Sequence, residues 1–547
     1  MVRLHKSSQR LELNAPAYTL SFDRERPWLI GVATADGSPV ADLFVGSSVD
    51  TLAGRDELEP CGPPYMSREA DATRVEFRSR SSRWDEKRYL FDCRDDEIEY
   101  HVEVVGRGRV DVVHYWQGCL PEDAVRLGLG PSRLRADYQR PYSDISRGSR
   151  PHFLTYYTAR PTAAERDLRL PFEDDVIDLV DDPQRHGGCD SFLPAIWAQA
   201  WEAGQHGGWV GLGLAATEAE LGFESFAYQG GAHFGFAVDY GGRVAVDGNW
   251  SSPSLLLSFG SDEARGALSR VAEALDRRGL RAAVSGERPE WWSRPVFDGA
   301  GQQDWLAGSR DPRTESTLAN YLDALALLQA AGAEPGVVWI GPGWSAADGH
   351  GRPDPVRWPD LSGFVARQHA VGRRVVLTWP LWAWPEAAAD DALGWLLSAD
   401  GAGIDGLRVT EVAPPEGGVL AVRDRLARLR SGLKQVRPDG LLIAPTVNPA
   451  FADLVDMVPL GGLWSDRLSV APALRHRAWL AELAVPGALR AVGDWGVPTF
   501  EAWREAQALA PELGVPVLSA VGGLSVAGDP LTPDDLREVG ERWRAEL

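Results

Sequence analysis

Val337-Val338-Trp339-Ile340-Gly341, the stretch from Leu361 to Val371, and Arg374-Val375-Val376-Leu377-Thr378-Trp379 together decide the fold. A short apolar, β-branched run, a helical stretch and a second apolar run make the rhythm of a strand–helix–strand unit with parallel strands. Outward from it, the same kind of run recurs at Pro295 to Gly299, Asp405 to Thr410, Gly440 to Pro445, Asp456 to Gly461, Leu489 to Asp494 and Val515 to Ala520. Helical stretches fall between nearly all of them, among them Ser316 to Ala331, Val419 to Val436 and Ala473 to Val485, with the shortest at Ala450 to Val455. Eight such units in residues 293–547 predict a TIM-type (β/α)8 barrel, an α/β barrel whose reactive groups belong at the C-terminal strand ends.

Upstream the period is two. Ile98, Tyr100, Val102 and Val104 alternate with Glu97, Glu99, His101 and Glu103, and Val75 and Phe77 alternate with Arg74, Glu76 and Arg78. Half-buried antiparallel strands read this way, so residues 1–260 are expected to form a large antiparallel β-sandwich. Residues 261–292 read as a helical linker, with Ser261 as its cap, Leu268, Val271 and Leu275 on one face, and Gly279 at its end.

At 547 residues the chain exceeds what a single hydrophobic core serves. A net charge of -22 argues against nucleic acid and anionic membrane as partners and leaves a small-molecule substrate. No apolar run reaches the roughly 18 residues a membrane span needs, and no signal peptide is evident, so a cytoplasmic location is expected. Cys61, Cys93, Cys119 and Cys189 lack metal-site spacing and read as reduced structural thiols. No metal and no cofactor is expected: Gly211-Leu212-Gly213 mimics a dinucleotide fingerprint but lacks the crossover helix, and His186-Gly187-Gly188-Cys189 lacks a second ligand pair. The acidic run at 173–182 lacks calcium-loop spacing. Oligomeric state stays open, a homo-oligomer included.

Tryptophan is the informative excess, 22 in all and 13 of them after position 293. Trp344 follows the second barrel strand; Trp379, Trp382 and Trp384 follow the third; Trp464 follows the sixth and Trp495 the seventh. Indoles around a barrel mouth suit the C–H face of a sugar or a polycyclic apolar ligand. For any one of them, packing between loops is an equal alternative.

Trp358-Pro359-Asp360-Leu361-Ser362-Gly363-Phe364, Gly403-Ile404-Asp405-Gly406-Leu407-Arg408-Val409, Asn448-Pro449-Ala450-Phe451-Ala452-Asp453, Arg475-His476-Arg477 and Asp494-Trp495, in that order behind a sandwich, resemble the retaining α-glycosidases of glycoside hydrolase families 31 and 36. The resemblance implies a carboxylate nucleophile ending strand four, an acid/base carboxyl after strand six and an acidic pair at strand two. The matching positions hold Thr410, Gly462 and Gly341-Pro342, with Asp466 four residues beyond Gly462. Double displacement needs two carboxyls about 5 to 5.5 Å apart, and a threonine with no adjacent base is no nucleophile.

The acids left as candidates are Asp494, beside Trp495, as the expected proton donor, then Asp466 and Glu411, with Glu386, Asp348 and Asp298 behind them and His350 as a candidate rim base. Strand parity points Arg408 and Thr410 inward and turns Glu411 away unless the strand has already ended. A buried Arg408 demands an acidic partner or a bound anion. Three functions follow: a repurposed enzyme performing acid/base chemistry (cyclisation, rearrangement or elimination) on a glycoside or polycyclic metabolite; an α-glycosidase using displaced carboxylates; and a non-catalytic carbohydrate-binding relative.

Overall fold

The computed structural model describes residues 2–6, 10–23, 29–57, 61–116, 134–135, 140–141, 156–158, 176–177, 197–202, 208–229, 235–282, 286–346, 351–412, 418–460 and 470–546. The chain divides into two compact units, Met1–Val180 with Pro194–Arg281 and Glu416–Ala421, and Asp181–Leu193 with Ala282–Pro415 and Val422–Leu547.

The first unit holds a five-stranded antiparallel sheet, strands in chain order from Arg3–Lys6 to Pro39–Phe44, and a twelve-stranded sheet built around the long strand Glu97–Tyr115. The predicted alternation sets the layers: Ile98, Tyr100, Val102 and Val104 are all buried. Aromatic pairs join the two sheets, Tyr18 stacking on Phe259 at 4.6 Å and Phe22 meeting Phe77 at 5.9 Å. Such pairs add to the burial of their own area, which is why two sheets of this size hold face to face. Burial pushes the thiols of Cys61 and Cys93 up to about 12, so both are inert in place.

Helix α1 (Ala264–Arg277) packs on the strand Trp209–Ala215 of this unit. It is thus part of the first unit's packing. A Cβ on Gly211 would stand 2.5 Å from the Ala267 carbonyl oxygen, and one on Gly213 would collide with Val271. The Gly-x-Gly spacing therefore serves close helix–sheet contact. Ser261 is not the cap; Glu263 occupies that position, and the Ser261 hydroxyl donates to the Glu263 carbonyl at 2.7 Å.

In the second unit eight parallel strands close into a barrel: β1 (Val296–Asp298), β2 (Val337–Ile340), β3 (Arg374–Pro380), β4 (Gly406–Thr410), β5 (Leu441–Ile443), β6 (Met457–Pro459), β7 (Leu489–Gly493) and β8 (Val515–Leu518). Around them run α2 (Gly299–Ala307), α3 (Leu318–Ala331), α4 (Leu361–Ala370), α5 (Glu386–Leu397), α6 (Gly418–Val436), α7 (Val470–Ala484), α8 (Phe500–Leu513) and α9 (Pro533–Glu546). Between β5 and β6 stands a 3-10 turn, Pro449–Phe451, capped by Asn448 with Pro449 in its first turn. Trp291, Trp292 and Trp339 pack with Val296, Val337, Val376, Ile443, Met457 and Val517 into one core, so the barrel is filled rather than open. Among the described residues no helix is long and apolar enough to cross a membrane.

Candidate active site

The strands that fill the barrel also decide what its mouth presents. Register pairs Thr378 with Arg408 and Trp379 with Val409. Because Trp339 and Val376 lie in the interior core, Thr378 and Arg408 share the inward parity, and Trp379 and Val409 take the outward one. At the ends of β2, β3 and β4 opens a cavity of about 410 Å³, lined by Trp344, Trp384, Thr378, Thr410, Glu411 and Arg313 among others. That volume falls in the range that accepts a small ligand.

Its floor carries an unmet polar group. Thr378 is 1% exposed, and among the described residues its hydroxyl has no hydrogen-bond partner. A buried hydroxyl left so carries a free-energy cost.

Glu411 reaches this cavity through the backbone. β4 ends at Thr410, and the next residue has φ of 52°, in the left-handed region that a side chain with Cβ adopts reluctantly. The flanking carbonyls are both held: Leu381 N–H donates to Thr410 at 2.9 Å and the Trp382 indole donates to Val412 at 3.2 Å. The 381–384 loop that does this is itself held by Arg425 of α6, which donates to the Leu381 and Trp384 carbonyls at 3.3 and 3.0 Å. Pinned on both sides, Glu411 leaves the strand's alternation and lines the cavity, where Arg313 donates to its carboxylate at 3.3 Å. A second carboxylate, Asp311, lines the same cavity.

Beneath lies the partner that Arg408 requires. Its guanidinium donates to Asp298 at 2.7 Å across the barrel interior and stands 5.2 Å over the ring of Trp339. Asp298 also accepts from Ala300 N–H at 3.1 Å, capping α2. Arg408 is therefore a structural cation. Arg408→Ala is expected to destabilise the protein by about 3 kcal/mol, because Asp298 then stays buried without its cation. Urea denaturation checks this, and Asp298→Asn combined with Arg408→Met should restore part of the loss.

Gly341, one of the two positions that match the strand-two acids, is crowded, while Pro342 lines the cavity. A Cβ on Gly341 would lie 3.0 Å from both amide atoms of Gln303 and 3.2 Å from Ala300 N, and Tyr321 accepts the Gly341 N–H at 2.6 Å.

Of the expected indole wall, Trp344 and Trp384 border the cavity. Trp344 donates to the Thr378 carbonyl at 2.7 Å and meets the Trp384 ring edge-on at 6.0 Å. Trp379 is turned outward and buried, packing on Trp384 at 4.7 Å, and the Trp382 indole is spent on Val412 with Arg425 over its ring at 6.0 Å. These two build the loop rather than line the cavity.

Asp494 does not reach the cavity, in contrast to the role expected of it. It is 2% exposed and accepts from the Trp503 indole at 2.8 Å, Gln507 Nε2 at 3.0 Å, Ser519 N–H at 2.7 Å and Ser519 Oγ at 2.5 Å. Burial raises its pKa and these donors oppose the rise. A carboxyl so occupied ties β7, β8 and α8 together. The adjacent Trp495 donates its indole N–H to Asp304 of α2 at 2.6 Å and does not line the cavity. Glu386 is exposed and paired with Arg428. Asp466 and Trp464 lie outside the described residues, as do Gly462, Asp348, His350 and the segment His186 to Asp190.

Sequence reasoning missed Arg313, Asp311 and Asp304, all in or near the segment after β1, where no motif marks them. Asp304 is half-buried, and burial raises its carboxyl above the ordinary range, with the charge of Asp298 adding to the rise and the Trp495 indole opposing it. A carboxyl raised in the folded state favours folding at pH below its unfolded pKa and loses that contribution as pH climbs through the folded value. Asp304→Asn is therefore expected to equal the parent protein in acid and to exceed it in urea midpoint at neutral pH; a variant less stable at neutral pH would contradict this. Among the described residues no group of three or more His, Cys, Asp or Glu is placed to hold a metal ion.

No protein-family model and no curated protein matches the sequence. Solved structures do match in fold. The galactosidase domain of an α-galactosidase-sucrose kinase is similar over 100% of this chain and 86% of its own, with TM-score 0.52 and 12% identity. An α-galactosidase from Lactobacillus brevis is similar over 98% of this chain and 83% of its own, with TM-score 0.50 and 11% identity. A GH31 family sulfoquinovosidase from E. rectale is similar over 99% and 81%, with TM-score 0.54 and 8% identity. At such identities the likeness concerns architecture, a sheet domain followed by a barrel as in glycoside hydrolases, and it agrees at that level with the resemblance read from the sequence.

Proposed function

We propose that this chain is a repurposed enzyme on the glycoside-hydrolase fold, performing proton-transfer chemistry on a glycoside or polycyclic metabolite bound at the ends of β2, β3 and β4. The observation that carries the reading is Glu411, held in a left-handed backbone conformation at the cavity wall with Arg313 against it. Non-glycine residues are kept in that conformation where the surrounding structure over-determines them, and such places cluster at functional sites. A carboxylate beside a guanidinium suits removal of a proton from carbon. The proton passes to a Glu411 oxygen, the C–H electron pair moves toward a neighbouring carbonyl or leaving group, and Arg313 faces the oxygen on which charge develops. Trp344 and Trp384 supply apolar walls, with Thr378 among the lining residues. Thr410 at the end of β4, and the Gln303 side chain in the space beside Gly341, support the loss of the hydrolytic carboxylates. The reading invokes no cofactor, no nucleic acid and a cytoplasmic setting.

One observation favours hydrolysis by displaced acids instead: Asp311 brings a second carboxylate to the same cavity. Incubation with glycosides in deuterium oxide separates the readings. Proton transfer at carbon leaves deuterium in the recovered ligand or an eliminated product, visible by mass spectrometry. Release of free sugar from aryl α-galactosides or α-glucosides, abolished by Asp311→Asn, would establish hydrolysis. A ligand that alters tryptophan emission and returns unchanged and unlabelled would make the cavity a binding site only.

A further inference from the structure

We propose that a groove on the outside of the barrel, between α5 and the chain at Arg352-Pro353, is a second saccharide-binding site that holds a neutral oligosaccharide against the ring of Trp395. On α5, Ala388, Asp391, Ala392 and Trp395 follow one another at steps of three, one and three residues and so share a single helix face. All four line the groove together with Arg352, and its volume is about 440 Å³. Trp395 is 40% exposed while its chain neighbours Leu396 and Leu397 are buried, so the indole is a surface feature and no part of the core.

The chemistry around the ring selects the ligand. Ala388 and Ala392 give the helix face a low floor, leaving the indole accessible to a flat partner. Asp391 and Arg352 are both exposed, and among the described residues neither forms an ion pair. A carboxylate accepts from hydroxyls and a guanidinium donates to hydroxyl and ring oxygens, so together they bracket a polyhydroxylated ring edge. The C–H face of a pyranose is the apolar surface that an indole covers. The groove's lining carries one charge of each sign, so it offers both a donor and an acceptor without a net charge, which matches a neutral polyhydroxylated ligand. It shares no lining residue with the cavity at the barrel mouth.

The test uses the full chain with maltopentaose and stachyose as probes, followed by tryptophan fluorescence and isothermal titration calorimetry. At least one probe is expected to bind at millimolar concentration, Trp395→Ala to weaken it by about tenfold or more, and Asp391→Ala by a few-fold. Circular dichroism confirms that the Trp395→Ala protein is folded, as an exposed side chain predicts. Absence of binding by both probes, or equal binding by Trp395→Ala, overturns the proposal. So does sedimentation showing that Trp395→Ala converts an assembled protein to a monomer, since the groove then seats a second copy.

Discussion

Glu411→Gln is expected to lower turnover by roughly 10²- to 10⁴-fold, the range that a positioned general base contributes, while the urea midpoint stays close to that of the parent. Both parts follow from the site. The amide keeps the shape and the contact with Arg313 but cannot take a proton. The ion pair that is lost, at 3.3 Å with both side chains more than half exposed, contributes little to stability. Glu411→Gly separates chemistry from structure more sharply. Glycine adopts φ of 52° without a Cβ clash, so this variant should be as stable as the parent or more stable by up to about 1 kcal/mol, and inactive. An active Glu411→Gly protein would remove the carboxylate from the mechanism; a badly destabilised one would show that the side chain is held for packing. Arg313→Ala should act on kcat more than on KM if the guanidinium faces developing charge rather than the bound ground state.

Asp494→Ala is expected to have the largest effect on stability, about 3 to 5 kcal/mol, as the Trp503 indole, Gln507 amide and Ser519 N–H lose their acceptor inside the barrel wall. For a unit of this size that corresponds to a fall in Tm of roughly 10 °C. Differential scanning calorimetry checks it. Asp494→Asn should lose less, since one carbonyl oxygen still accepts, and turnover per folded molecule should be retained in both variants. A selective loss of turnover with unchanged Tm would restore Asp494 to the proton-donor role that its place beside Trp495 suggests. The contrast with Glu411 is instructive: one variant removes chemistry and spares the fold, the other weakens the fold and spares the chemistry.

The architecture was legible in the sequence because it rests on local periodicity. Alternation in Glu97–Tyr115 and the repeated apolar runs of the barrel record which faces are buried, and removal of apolar surface from water is the main force that drives folding. The parity of Arg408 was legible for the same reason, and so was its need for a carboxylate, although nothing in the spacing named Asp298, which lies 110 residues away. The site was less legible. Asp494 and Trp495 stand side by side in the chain, yet one bonds to Ser519 and α8 and the other to Asp304, a separation set by strand geometry. Trp379, Trp382 and Trp384 look alike in sequence, and only the packing of the loop puts Trp384 on the cavity and leaves the other two behind it.

By itself, then, the sequence determined the order of sandwich and barrel, the strand-end location of the cavity and the threonine at the end of the fourth strand, since each depends on residues close together in the chain. Tertiary structure alone decided that Glu411 turns into the cavity, that Arg313 meets it and that Asp494 is enclosed. Those outcomes depend on carbonyls pinned by a neighbouring loop and on partners distant in sequence, and such contacts leave no periodic trace in the chain.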